Sequence, residues 1–108
     1  MTLTSYERTD SWTSTVSWYS GSTLIDPSGN IANIEVYQSD GVKYISATWA
    51  NDGTVGVYFY RISTNSTQPL GIYKIIWNGS FFYDNFFGYM PRTETEAVII
   101  TDIVQSWY

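Results

Sequence analysis

The chain has 108 residues and a formal net charge of −5, with no cysteine and no histidine, yet 19% of it is Phe, Trp and Tyr. The missing cysteines exclude disulfides and thiolate metal sites, and the missing histidines remove the commonest general base near neutral pH. This length suits one domain spanning residues 1–108.

Charged residues form only 14% of the chain, and the five basic ones, Arg8, Lys43, Arg61, Lys74 and Arg92, stand one by one. Nucleic acid is therefore not expected as a partner, because phosphate binding relies on clustered cations. Charge-driven docking on anionic lipid fails for the same reason. The water-facing groups must be mostly Ser, Thr, Asn and Tyr, which hydrogen-bond neutral polar ligands. Met1 to Arg8 lack a basic stretch followed by an apolar one, and no window approaches about 20 apolar residues. A cytoplasmic product is the expectation.

In chain order, Trp12 to Tyr19 reads as the first strand, followed by the polar loop Ser20-Gly21-Ser22 and the stretch Asp26-Pro27-Ser28-Gly29-Asn30. Ile31 to Gln38 and Val42 to Ala50 follow, joined at Asp40-Gly41; Asp52-Gly53 leads to Val55 to Ile62, and Leu70 to Trp77 ends at Asn78-Gly79. Each Asp-Gly or Asn-Gly pair fits the positive-φ positions of a two-residue hairpin loop. The strands from Ile31 to Ile62 are expected to form an antiparallel meander. Alternation sets Ala32, Ile34 and Val36 on an apolar face opposite Asn33, Glu35 and Tyr37, and Ile45, Ala47 and Trp49 opposite Tyr44, Ser46 and Thr48. In the next strand Val55, Val57 and Phe59 oppose Tyr58 and Tyr60, so both faces carry bulk.

Phe81 to Tyr83 and Phe86 to Tyr89 read as two short strands joined at Asp84-Asn85, and Glu96 to Trp107 as the last strand. Pro27, Pro69 and Pro91 fall between these segments, where proline costs no ladder bond. No segment has a helical pattern. The expected fold is all-β, an antiparallel β-sandwich or small β-barrel of about eight short strands.

Tryptophan beside turn amides and carboxylates forms the leading functional constellation: Trp49 with Asn51 and Asp52, and Trp77 with Asn78. A sugar presents C–H bonds to an aromatic face and hydroxyls to planar amides, so this pairing points to carbohydrate. Trp18 and Tyr19 repeat it beside Ser17 and Ser20, and Tyr83, Asp84 and Asn85 complete the candidate set. The apolar run Phe81 to Met90 calls for cover, for which a homodimer contact is the favoured reading. Catalysis finds no motif, and Asp26 with Asn30 falls short of the about six to eight oxygens calcium takes. No cofactor or metal is expected.

In size and composition the chain resembles the small lectins of fruiting bodies and microbes, which lack signal peptides and disulfides. A non-enzymatic, lectin-like glycan binder gaining avidity from a dimer is the reading these residues support. Two rivals stand beside it. One is a membrane-active protein, pore-forming or lipid-binding, that uses Phe81 to Met90 as an aromatic anchor. The other is a structural or assembly subunit.

Overall fold

The computed structural model describes residues 4–28, 31–50, 54–83 and 88–102, with residues 49, 50, 82, 83, 88 and 89 described by backbone alone. These residues form nine strands and no α-helix: β1 (Thr4–Glu7), β2 (Ser11–Ser17), β3 (Tyr19–Ser20), β4 (Thr23–Leu24), β5 (Ile31–Tyr37), β6 (Lys43–Ala50), β7 (Val57–Ser63), β8 (Gly71–Tyr83) and β9 (Gly88–Thr101). The fold is all-β. A five-stranded sheet runs β1-β9-β8-β5-β6, β2 pairs with β7, and β3 with β4. Every pairing is antiparallel except β1 with β9.

Period-two alternation explains which residues meet. Ala32, Ile34 and Val36 of β5, Tyr73, Ile75 and Trp77 of β8, and Val98 and Ile100 of β9 are buried on one face of the large sheet. Trp12 and Val16 of β2 and Tyr58 and Ile62 of β7 bury against them as the other half of one core. At about 1.5–3 kcal/mol per large apolar side chain, this shared burial holds two sheets together without any crosslink.

Three expectations need correction. The meander stops after β5 and β6, because β7 leaves that sheet and pairs with β2, setting Tyr58 opposite Val16 and Ile62 opposite Trp12. Inward-facing Tyr58 and Ile62 complete the core from the far side, which a third meander strand could not do. Asn78-Gly79 is not a turn either: it lies inside β8, opposite Thr93 and Arg92. Gly79 is there for space, since a Cβ would lie 3.0 Å from Phe81 Cε1 and 3.2 Å from Pro27 Cγ. Pro91 lies within β9 opposite Ser80, at an edge where no described strand needs its missing N–H. Asp40-Gly41 does turn the β5–β6 hairpin, with Gly41 at φ 88° and its N–H donating to the Gln38 carbonyl at 2.9 Å.

The β8–β9 ladder outruns its neighbours. β5 pairs with β8 only as far as Asn78, whereas β8 and β9 stay paired to Tyr83 and Gly88. The molecule measures 61 Å along its long axis and 26 Å across. At the base of this ribbon, Phe81 is buried against the Trp18 ring, with centroids 5.3 Å apart. The Arg92 guanidinium lies over both rings and donates to the Tyr19 carbonyl at 2.7 Å.

Candidate functional site

The outer face of the large sheet is built from the residues that alternate with the core. In β5 these are Ile31, Asn33, Glu35 and Tyr37, in β6 Ser46 and Thr48, in β8 Asn78 and Ser80, and in β9 Thr93 and Thr95. Register turns them into rows. Thr48 pairs with Asn33, Asn33 with Asn78, and Asn78 with Thr93, so one line of Thr, Asn, Asn and Thr crosses four adjacent strands. At about 4.8 Å between strands the line is roughly 14 Å long.

Hydrogen bonds fix its ends. Thr48 Oγ1 donates to Asn33 Oδ1 at 2.7 Å, and Thr93 Oγ1 donates to Asn78 Oδ1 at 2.8 Å. Each bond holds an amide by its oxygen, which leaves the amide N–H groups as donors and the threonine oxygens as acceptors toward solvent. The side chains are thus oriented before any ligand arrives.

Asn33 and Asn78 also divide two depressions. One, of about 350 Å³, is walled by Glu35, Ser46 and Thr48 and is polar. The other, of about 290 Å³, is walled by Ile31, Ser80 and Pro91 and is largely apolar. Both asparagines line both depressions. In the polar one the single charge is compensated, because Lys43 Nζ donates to Glu35 Oε2 at 2.9 Å and Tyr37 Oη donates to the same oxygen at 3.3 Å. Chiefly through the Lys43 bond, Glu35 is held below its ordinary range and Lys43 above its own. The Glu35–Lys43 pair leaves the polar depression without net charge.

Among the residues singled out from sequence, only some reach this surface. Asn78 does. Trp77 is 2% exposed and Trp18 fully buried, so neither offers a stacking face. Trp77 continues the inward alternation of Tyr73 and Ile75. Trp18 continues that of Trp12 and Val16, pinned where its N–H donates to the Gly56 carbonyl at 2.8 Å and its carbonyl accepts from Ile25 N–H at 2.9 Å. Tyr19 is 47% exposed, on β3 rather than in the row. The backbones of Trp49 and Tyr83 pair with Ala32 and Gly88. Asn51, Asp52, Asp84 and Asn85 lie outside the described residues.

No family model, curated protein or solved structure matches this chain. Its function is therefore argued from this geometry. Sequence reasoning placed Asn33 and Thr48 on a wet face without marking them as a site, and it passed over Thr93 and Ile31. Alternation could have flagged each of them. Their alignment depends on pairings between residues 45 positions apart, as for Asn33 and Asn78, which no local pattern carries. Among the described residues no group of acidic side chains is arranged to hold a metal, and no helix is long and apolar enough to cross a membrane.

Proposed function

We propose that the outer sheet face binds neutral carbohydrate, with Asn33 and Asn78 as the central hydrogen-bonding pair. One observation carries the reading: the two oriented asparagines separate a polar depression from an apolar one. A pyranose divides in the same way, with hydroxyls at its edge and C–H groups on its face. Its hydroxyls fit the Asn and Thr groups, and its C–H face fits Ile31 and Pro91. With Trp18 and Trp77 buried, aliphatic contact takes the place of their stacking faces. Each site is shallow, with about 1 kcal/mol per net hydrogen bond, so useful affinity relies on several copies held together, as in a homodimer.

A glycan array probed with the intact chain, with and without EDTA, tests the reading. Retained binding in EDTA, lost by about tenfold or more in the Asn33→Ala/Asn78→Ala double variant, is the expected outcome. Both side chains lie on the water-facing side of the sheet, so the fold should survive the change, as circular dichroism will report. Undiminished glycan binding by a folded double variant would remove the site.

The ribbon beyond Asn78 favours a second reading, contact with a lipid interface. It projects past the sheet and leaves Met90 45% exposed. Flotation with neutral, sugar-free vesicles separates the two: co-flotation insensitive to free saccharide supports the lipid reading.

A further inference from the structure

The large sheet and the β2–β7 pair meet along a seam that no described strand closes. On one side β2 pairs with β7 alone, and on the other β9 pairs with β1 only from Val98 to Thr101. Among the described residues, the outer edge of β2 and the edge of β9 before Val98 therefore have no strand partner. Between them runs a groove of about 280 Å³ floored by Trp77. Consecutive residues line it, Ser14 to Ser17 on one wall and Glu94 to Glu96 on the other, so it follows the backbone edges rather than crossing a sheet face. Along an edge, alternate N–H and C=O groups point away from the existing ladder and can pair with an added strand.

The walls select the charge of that strand. Val98 and Ile100 point into the core, and by alternation Glu96 and Glu94 occupy the same face of β9, opposite Ile75 and Trp77. The face turns from acidic to apolar at Val98, where the pairing with Thr4 of β1 begins. Both carboxylates are exposed, and among the described residues neither has a cationic partner. Glu96 instead accepts a hydrogen bond from Ser14 Oγ at 3.2 Å.

We infer that this seam accepts an extended peptide strand bearing two basic residues two positions apart, which adds its backbone between β2 and β9 and sets its cations against Glu94 and Glu96. Ser14 to Ser17 spans about 10 Å from first to last residue, the length of about four extended residues, and alternate side chains of such a segment repeat at the spacing of Glu94 and Glu96. A second copy of this chain does not supply the motif, since no two of its basic residues are two positions apart. The occupant is a segment of another protein, taken up by strand addition. This site is separate from the outer face and stands whether or not that face binds glycan.

An end-capped octapeptide alternating lysine and valine tests the inference by fluorescence anisotropy on the full chain. Binding is expected, weakened about tenfold when glutamate replaces lysine in the peptide and about tenfold when its alternate amides are N-methylated. Glu94→Gln and Glu96→Gln should each weaken binding about three- to fivefold, while Asn33→Ala/Asn78→Ala leaves it unchanged. Hydrogen exchange should show new protection confined to Ser14 to Ser17 and Glu94 to Glu96. Absence of binding, equal binding of the N-methylated peptide, protection elsewhere, or displacement by a neutral saccharide would overturn it.

Discussion

Trp77 Nε1 donates a 3.0 Å hydrogen bond to Ser14 Oγ, tying β8 of the large sheet to β2 of the small one across the core. Ser14 is itself 3% exposed and passes the chain of bonds on to Glu96. A hydroxyl at this inward position, among Trp12, Val16 and Trp18, is explained by the indole N–H, which would otherwise be buried unpaired. Ser14→Ala should therefore cost about 1–3 kcal/mol, the penalty of orphaning a buried donor rather than the worth of one bond. Urea denaturation measures the loss, and near-ultraviolet circular dichroism should show the Trp77 environment altered. A change below about 0.5 kcal/mol would mean that the indole is satisfied some other way.

Gly79 marks where the sheet hands over to the ribbon. Its φ is not positive, so the need for glycine is one of room: the Phe81 ring and Pro27 occupy the space a methyl group would take. Gly79→Ala should destabilise by about 1–3 kcal/mol through overpacking. Measured in the Phe81→Leu background, where the ring edge is gone, Gly79→Ala should cost less than it does in the unaltered protein, a non-additivity that thermal denaturation of both single variants and the double will show.

How much of this could be read from the chain depends on the range of the interaction. The alternation of Ala32, Ile34 and Val36 against Asn33, Glu35 and Tyr37 is local, and it holds in β5. Asp40-Gly41 is local too, and it turns. Asn78-Gly79 carries the same local signal, but packing on Pro27, 52 positions earlier, overrides it. Tryptophan beside polar turn residues points locally to a stacking face, the reading given to Trp18 and Trp77. Yet Trp12, Trp18 and Trp77 all lie at alternating inward positions and fill the space between two sheets. The Asn33–Asn78 pairing, on which the proposed site depends, is a register between distant strands, and register follows from the whole core.

Thr9 makes the corner between β1 and β2 at φ 82°, a left-handed conformation that a β-branched residue adopts at a cost. The corner is held by Thr9 N–H donating to Thr64 Oγ1 at 3.0 Å and by Tyr6 stacking on Trp12 at 4.4 Å. Thr9→Gly keeps the backbone donor and removes strain of about 1–2 kcal/mol, offset by about 0.5–1 kcal/mol of added chain entropy in the unfolded state. A net gain on the order of 0.5 kcal/mol is expected. Thr64→Val removes the acceptor, and in that background the glycine variant should gain less.

Tyr44 and Tyr73 link the stability of the fold to alkaline pH. Its ring meets Tyr73 edge-on at 6.0 Å, and burial pushes its phenol from 10.0 up to about 12, opposed by the nearby Gln68 side chain. Burial raises Tyr73 as well, and its hydroxyl donates to the Pro69 carbonyl at 2.6 Å. Both folded-state values lie above the unfolded one, so the folded protein keeps protons that the unfolded chain releases. Stability is then fully present below pH 10 and falls progressively as pH rises toward 12. The midpoint of urea unfolding, followed across that window, should drop with pH. Tyr44→Phe has no proton to lose there and should show a shallower drop, with the remainder assigned to Tyr73. An identical pH dependence in the variant would mean that Tyr44 ionises as freely in the folded state as in the unfolded one.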